Sequence, residues 1–262
     1  MVSLCGEGAR ETVEKQMVEN HHLLRNGAGR IARAAAEAFM IAAKSYNGDL
    51  EGFARYMEEI SKILLSTRPT AVSLPNAISY VIKAVRRRYG SVVEAVVRAA
   101  MEFKEYSEKA LELIGEIGSR MIEDGMTIIT HCNLLAVVSI LAKAWGEGKR
   151  FRVYVTETRP RYQGYITARD LVSRGISTTL ITDSAVAYIM RKADLVLVGA
   201  DAITSNGALI NKIGTSQIAL TAKVYSVPFY VAAETYKFSP YTLAGEAVEI
   251  EERSKRGSRP TN

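Results

Sequence analysis

The sequence predicts an α/β protein, in which a helical N-terminal part precedes a mainly parallel sheet with helices on both faces. From residue 9 to about residue 123, apolar side chains recur every three or four positions, which is the period of an α-helix. From residue 126 onward, short β-branched runs alternate with helical stretches at spacings typical of βαβ units. We therefore predict a helical domain over 1–123, a Rossmann-like domain over 124–252 and a charged, disordered tail over 253–262.

The helical part contains one boundary with a clear local signal. Ser91 is suited to an N-cap because Glu94 follows three residues later and completes a capping box. A long helix should run from there toward Met121 and stop before Asp124 and Gly125. The apolar repeat predicts three earlier helices, around residues 13–24, 31–42 and 53–65.

The predicted strands are short apolar runs with little alternation, which suits strands that are buried on both faces of a sheet. They lie at residues 127–130, 152–155, 178–182, 195–198 and 228–232.

Composition limits the classes of protein to which this chain can belong. Hydrophobic residues make up 48% and charged residues 24% of the 262 residues, which excludes a mainly disordered or fibrous chain. No apolar run reaches about 18 residues and the N-terminus turns charged at once, so we expect no membrane span and a cytoplasmic location. With two cysteines and three histidines we expect neither a disulfide framework nor a metal site.

The net charge of +6 has two interpretations. It can reflect a solvated basic surface, or it can indicate an anionic partner, either a nucleic acid or a phosphorylated small molecule. The sequence contains no zinc-finger spacing, no basic zipper and no aromatic-rich RNA motif. We therefore expect no nucleic acid partner.

Polar side chains follow every predicted strand at the point where it ends. In a parallel sheet these ends lie along one edge, and ligands of open α/β sheets bind outside that edge. The sequence therefore predicts a functional cleft there, formed by residues 131–133, 156–160, 183–184, 199–201 and 233–237.

Cys132 and Asp201 are the candidates for acid–base chemistry at this edge. Cys132 precedes a predicted helix and follows His131, which favours a lowered thiol pKa, although an inert core thiol fits the same pattern. A protease-like Cys–His pair is less expected, because adjacent residues of a strand point to opposite faces. Asp201 fits either an acid that faces Cys132 or a loop carboxylate that caps a helix.

Two further segments are suited to phosphate binding. Gly27 and Gly29 lie in a string that resembles a dinucleotide fingerprint, but it follows a helical stretch rather than a strand, so a dinucleotide site is rejected. The string remains a tight turn beside Arg30 that can hold a phosphate. Arg68 and Arg159 can clamp a second phosphate, and two anion sites around one acid–base pair suggest a bisphosphate substrate.

Long ordered motifs then carry a resemblance. The strings THCN, VTETRP, ITDSA, VGAD, NGALINKIGT and PFYVAAETYKF occur in this order after the helical part. From about residue 24 to residue 252 the chain resembles the superfamily of ribose-1,5-bisphosphate isomerase, methylthioribose-1-phosphate isomerase and the α, β and δ subunits of initiation factor 2B. GAGRIAR, TRPTAVSLPNA, THC, TETRP and AETYKF are most similar to the ribose-1,5-bisphosphate isomerases.

This resemblance implies an aldose–ketose isomerase that makes ribulose 1,5-bisphosphate during recycling of nucleotide ribose, without a cofactor. Cys132 would take the proton from C2 of the sugar, and Asp201 would give one to the ring oxygen. An aldose phosphorylated at O1 cannot open its ring by itself, so both groups are needed. The expected substrate-binding residues, from resemblance and local pattern together, are Asn26, Gly27, Ala28, Gly29, Arg30, Arg68, Arg159, Asn211, Lys212 and Lys237.

Two alternatives stay open at this stage. A regulatory subunit related to initiation factor 2B is favoured by Leu134 and Leu135, which replace small and basic residues of the isomerases, and by relatives that continue beyond residue 252. Methylthioribose-1-phosphate isomerase shares the acid–base pair, but Arg25, Arg30 and Arg68 argue against an apolar substrate tail. The resemblance further implies a homo-oligomer, either a dimer or a ring of dimers, and permits activation by AMP.

Overall fold

The computed structural model describes residues 28–67, 72–86 and 91–239. The chain divides into one unit up to Lys109 and a second unit from Ala110 onward. The helix predicted around residues 13–24 and the predicted tail over 253–262 lie outside the described residues.

The first unit is helical, as its apolar repeat predicts. Its described helices are α1 (Ala28–Ser45), α2 (Leu50–Thr67), α3 (Ser73–Arg86) and the first part of α4 (Val92–Ser119). The repeat that begins at Ile31 faces inward in α1, since its members are at most 2% exposed. Helix α4 begins directly after Ser91, whose carbonyl accepts the N–H of Ala95 at 3.0 Å. It ends two residues before the predicted limit at Met121.

The second unit is a five-stranded parallel sheet in the order β3-β2-β1-β4-β7. Each strand coincides within one residue with a predicted run, which confirms the predicted fold class. The strands are β1 (Thr127–Thr130), β2 (Arg152–Thr156), β3 (Ser177–Ile181), β4 (Leu195–Gly199) and β7 (Phe229–Ala232).

Helices cover both faces of this sheet, because alternate residues of its central strands enter different cores. Ile128 of β1 packs in a core with α5 (Leu135–Gly146) and α6 (Gln163–Ser173). Its neighbour Ile129 packs in a second core with α7 (Val186–Met190) and α8 (Thr215–Val224).

The strand order changes direction between β1 and β4. The chain runs outward from β1 through β2 to β3, then returns to place β4 and β7 on the other side of β1. The crevice outside the carboxyl ends of β1 and β4 is therefore the topological switch point, where ligands of open α/β sheets bind.

Helix α3 in the first unit was not predicted as a separate helix, and neither was a hairpin in the second unit. Two short strands, β5 (Ala202–Ile203) and β6 (Leu209–Ile210), form an antiparallel hairpin directly after β4. No helix among the described residues has the length and apolarity needed to cross a membrane.

Candidate active site at the switch point

Cys132 lies at the carboxyl end of β1 in a backbone conformation that a strand cannot continue. Its φ is 70°, in the left-handed region that residues with a side chain rarely adopt. The N–H of Cys132 donates to the Thr158 hydroxyl at 3.0 Å, and its carbonyl accepts the Thr167 hydroxyl at 2.8 Å. The side chain is 6% exposed, so the thiol sits in a nearly dry environment.

His131 has a structural role and does not act as a base for Cys132. Its Nε2 lies 2.8 Å from the Ile213 carbonyl and its Nδ1 lies 2.6 Å from the Thr156 hydroxyl. Burial lowers the pKa of His131, which favours the neutral ring. The carbonyl can only accept, so Nε2 carries the proton and Nδ1 accepts from Thr156. Both ring nitrogens are thus engaged, which agrees with the low expectation for a protease-like pair.

Asp183, at the carboxyl end of β3, fixes the loop that follows β2. Its two carboxylate oxygens accept the backbone N–H groups of Thr158 and Arg159 at 2.9 and 2.8 Å. The Arg159 side chain is exposed, donates to the Tyr162 hydroxyl and lies 5.0 Å from the centre of that ring. The structure therefore gives Arg159 an aromatic partner, while its predicted contact with phosphate stays a prediction.

The hairpin after β4 brings Asp201 together with the segment that follows β6. The N–H of Asp201 donates to the Ile210 carbonyl at 3.0 Å. Ile210 directly precedes Asn211 and Lys212, so Asp201 lies beside the start of the segment that contains them. Asn211 donates through Nδ2 to the Thr215 hydroxyl at 3.1 Å, whereas its Oδ1 is buried and has no hydrogen-bond partner within the described residues. A buried carbonyl oxygen without a partner is a ready acceptor for a ligand hydroxyl.

The pKa of Cys132 depends on charged residues from the other side of the crevice. Burial, and then the negative charge of Asp201, raise the pKa of Cys132 to about 12. The Asn133 backbone hydrogen bond and the positive charge of Lys212 act in the opposite direction. The expectation of a lowered thiol pKa was therefore wrong for the protein without substrate, because desolvation and a nearby carboxylate outweigh the favourable contacts.

Leu134 is a packing residue in this structure. It is 5% exposed, and a Cβ added to Gly199 would come within 2.4 Å of its Cδ1. Glycine at the end of β4 thus leaves the space that Leu134 fills. Leu135 opens helix α5 and is half-buried.

Lys237 follows β7 and is 1% exposed. Its Nζ lies 2.7 Å from Oε2 of Glu234, whose other carboxylate oxygen accepts the Tyr236 hydroxyl at 3.1 Å. A buried charge needs such a partner. Lys237 thus has an ion-pair partner that sequence reasoning did not anticipate, and its predicted contact with substrate stays a prediction.

The predicted phosphate turn is described only in part. Asn26, Gly27 and Arg68 lie outside the described residues. Ala28 is the first residue of α1, followed by the buried Gly29 and the half-buried Arg30, so the predicted opening of a helix at this string is confirmed.

Sequence reasoning assigned no role to three residues of the site, although Thr158 lies in the predicted cleft segment 156–160. Thr158 and Thr167 hold the Cys132 peptide. Gln163, at the start of α6, has a buried Oε1 without a hydrogen-bond partner among the described residues. Gln163 follows TETRP by three residues, but a glutamine in a first helical turn carries no chemical signal by itself. The described residues contain no group of three or more His, Cys, Asp or Glu that could hold a metal ion.

Fold and site together define a class: a parallel α/β protein whose switch point carries a buried thiol, a carboxylate and a lysine. The profile of the initiation factor 2 subunit family matches residues 24–259. The chain belongs to this family.

Similar proteins within the family include enzymes and a translation factor. The chain is 52% identical over 246 residues to a ribose 1,5-bisphosphate isomerase of Methanocaldococcus jannaschii, covering 94% of this chain and 78% of that protein. It is 53% identical to one of Archaeoglobus fulgidus, covering 89% and 74%. The crystal structure of translation initiation factor eIF-2B from Pyrococcus horikoshii matches with a TM-score of 0.83 at 34% identity, covering 93% of this chain and 85% of that one.

Proposed function

We propose that this chain converts ribose 1,5-bisphosphate to ribulose 1,5-bisphosphate, with Cys132 as base and Asp201 as acid. The observation that carries the proposal is that the buried Cys132 follows β1 and Asp201 follows β4, the two strands that flank the switch point. The identity of just over 50% to named ribose 1,5-bisphosphate isomerases supports the substrate.

Ring opening would be the first step. The Cys132 thiolate takes the proton on C2, and the electron pair of that C–H bond forms a double bond between C1 and C2. The bond between C1 and the ring oxygen breaks, and that oxygen takes the proton of the Asp201 carboxylic acid. This concerted use of a base and an acid avoids a free aldehyde, which a sugar phosphorylated at O1 cannot form.

Ketone formation would return both groups to their starting states. The enediol O2–H gives its proton to the Asp201 carboxylate, while the Cys132 thiol gives its proton to C1. The product is an open-chain 2-ketose that keeps both phosphates. Each proton removed is balanced by one returned, so no metal or redox cofactor enters this scheme.

The charge state of the pair must change before this chemistry can begin. In the protein without substrate, burial favours a thiol beside the Asp201 carboxylate, because burial and that charge raise the pKa of Cys132. Moving the proton from Cys132 to Asp201 gives the reactive form without changing the total charge. The Lys212 charge and the Asn133 backbone hydrogen bond, which both lower the pKa of Cys132, favour this transfer.

Substrate recognition would use groups on both sides of the crevice. The buried and unpaired oxygens of Gln163 and Asn211 would accept sugar hydroxyl groups. Lys212 would bind a phosphate. From the sequence, the glycine turn at residues 26–30 stays the predicted contact for one phosphate, and Arg68 with Arg159 the predicted contact for a second. Lys237 stays a predicted substrate contact.

Cellular context and assembly follow from the same proposal. A sugar bisphosphate is a charged intracellular metabolite, so we propose that the chain works in the cytoplasm. We further propose a homo-oligomer built from dimers and activation by AMP. Light scattering of the purified chain and the response of turnover to AMP test these two points.

The decisive experiment is turnover of ribose 1,5-bisphosphate by the purified full chain, followed as ribulose 1,5-bisphosphate formed, with and without AMP. Methylthioribose 1-phosphate serves as the competing substrate. We expect turnover of the bisphosphate, and its loss in Cys132→Ser, because a serine hydroxyl is a much weaker acid than a thiol.

Thermal unfolding of Cys132→Ser controls for loss of the fold. Turnover of methylthioribose 1-phosphate alone would replace the proposed substrate. If the bisphosphate raises the melting temperature but is not converted, the chain is a binding subunit related to initiation factor 2B. Unchanged activity of Cys132→Ser contradicts the proposed base.

A further inference from the structure

The backbone N–H and carbonyl groups of Cys132 cannot form their hydrogen bonds within the sheet. The pairing of β1 with β2 ends at Thr130, and the left-handed φ of 70° turns the Cys132 backbone away from the ladder. Buried N–H and carbonyl groups need partners. Both partners of Cys132 are side-chain hydroxyls from elsewhere in the chain, 26 and 35 positions away in sequence.

The Thr158 hydroxyl accepts the Cys132 N–H, because an N–H can only donate. Its own proton has acceptors on the other side, which are the Thr156 carbonyl at 3.2 Å, the Thr156 hydroxyl at 3.3 Å and His131 Nδ1 at 3.4 Å. Thr158 is fully buried, and Asp183 holds its backbone N–H at 2.9 Å. The end of β3 therefore fixes the loop after β2, and this loop fixes the cysteine.

The Thr167 hydroxyl makes an unusual contact for a threonine inside a helix. Such a hydroxyl commonly bonds the carbonyl four residues earlier in the same helix. Here it donates across to the Cys132 carbonyl at 2.8 Å, with the Asn133 Oδ1 at 3.3 Å as a weaker second acceptor. Helix α6 thus contributes a side chain to the conformation of the loop after β1.

We propose that Thr158 and Thr167 are positioning residues, which clamp the Cys132 peptide from both sides and so aim its sulfur at the substrate. The inference rests on the proposed function only where it takes Cys132 as the base. A thiolate must meet one particular C–H bond, and a displacement of about 1 Å can reduce a rate about 100-fold.

The experiment compares Thr158→Val and Thr167→Val with Thr158→Ser and Thr167→Ser in the full chain. Valine keeps the shape and removes the hydroxyl, whereas serine keeps the hydroxyl. Thr178→Val is the matched control, because its hydroxyl bonds only the nearby Ile176 carbonyl of its own strand region. All variants carry Cys5→Ser, so that Cys132 is the sole thiol.

Three quantities are measured: kcat per folded molecule, KM, and the rate of Cys132 alkylation by iodoacetamide without substrate. For each valine variant we expect kcat to fall about 10- to 100-fold while KM stays within about twofold. Alkylation should become faster, because the released thiol gains access to solvent. The serine variants should lie within about threefold of the parent, and Thr178→Val within about twofold.

A role limited to stability would lower the melting temperature without moving kcat per folded molecule or the alkylation rate. That result overturns the proposal. If the parent chain does not turn over ribose 1,5-bisphosphate, the proposed function fails, and alkylation alone decides the clamp: faster modification of the valine variants supports it, and an unchanged rate rejects it. If the valine variants do not fold, Thr158→Ala and Thr167→Ala, which also remove the hydroxyl, replace them in the same comparison against the serine variants.

Discussion

The two strand ends that form the candidate site are built in different ways. At the end of β1, Cys132 is buried and its backbone is held by the side chains of Thr158 and Thr167. At the end of β4, Asp201 is half-buried and is carried on a short hairpin, whose backbone hydrogen bond joins it to Ile210.

This difference matches the different requirements of the proposed base, Cys132, and the proposed acid, Asp201. A base that removes a proton from carbon needs a dry site and a fixed direction, and the β1 end supplies them through burial and through the two hydroxyls. An acid that exchanges a proton with the sugar tolerates more solvent, and a backbone hairpin is enough to place it. Side-chain changes should therefore disturb the β1 end more, whereas the β4 end should depend on its backbone and on Asp201 itself.

The largest expected effect comes from removing the acid. Asp201→Asn should reduce kcat about 100- to 10,000-fold, because an amide cannot supply the proton for ring opening. The same substitution should speed alkylation of Cys132 at pH 8, because loss of the negative charge lowers the pKa of the thiol from about 12. Activity and thiol reactivity would thus move in opposite directions.

Asp194→Asn is the matched control for that prediction. Asp194 lies just before β4, and its Oδ2 accepts the Thr127 N–H at 2.8 Å at the opposite end of the same strands. Its removal should leave both kcat and alkylation within about twofold. An alkylation rate that is equal in both variants would mean that Asp201 does not act on the thiol.

A substitution at Gly214 tests the contact between the end of β1, where His131 lies, and the start of helix α8. Its φ is 103°, and a Cβ placed there would lie 2.9 Å from Cε1 of His131. That ring cannot move aside easily, because Thr156 and Ile213 hold both of its nitrogens. Gly214→Ala should therefore lower the free energy of unfolding by about 2–4 kcal/mol, from backbone strain and overpacking together. Urea unfolding gives the value.

Gly207→Ala separates these two causes. Gly207 has a φ of 81° in the hairpin turn, but a Cβ there meets nothing within 4 Å. It should therefore show the backbone strain alone, at about 1 kcal/mol. Equal losses in the two variants would show that the contact with His131 contributes nothing.

The same contrast explains what the sequence could predict. The five strands follow from β-branched runs, and Cys132 and Asp201 follow from motifs at strand ends, because both signals are local. The hydroxyl contacts of Thr158 and Thr167 connect positions that are 26 and 35 residues apart, so no local pattern contains them. The hairpin of β5 and β6 was missed because two-residue strands fall below any periodic signal.

The raised thiol pKa shows a second limit of sequence reasoning. Position beside His131 and before a helix suggested a reactive thiol, but burial and the distance to Asp201 are properties of the folded chain. Burial and the Asp201 charge both raise the pKa of Cys132, and they outweigh the groups that lower it. The residue was identified from sequence, whereas its protonation state required the structure.

Asn211 should affect binding more than stability. In the part of the chain that the structure describes, its Oδ1 has no partner, and the contact that Asn211→Ala removes there is the one with Thr215. We expect KM for the bisphosphate to rise about 10-fold, with a change in unfolding free energy below about 1 kcal/mol. Steady-state kinetics and urea unfolding measure both. Asn206→Ala in the exposed hairpin turn is the control, and an equal KM in the two variants would exclude Asn211 as a ligand.

The smallest effect concerns the protonation of His131. Burial lowers its pKa from the ordinary value of 6.5, so the unfolded chain binds a proton at this residue more readily than the folded chain does. Stability should therefore be complete above about pH 6.5 and should fall as the pH drops below it, by up to about 1.4 kcal/mol per pH unit from this residue. Urea unfolding at pH 7, 6 and 5 measures that slope. His131→Gln should be less stable at pH 7 but should lose stability less steeply on acidification, because it has no proton to gain. If the two proteins lose unfolding free energy equally steeply with falling pH, the acid sensitivity arises from other residues. The β1 end would then owe its fixed geometry to Thr158 and Thr167, without help from a neutral histidine.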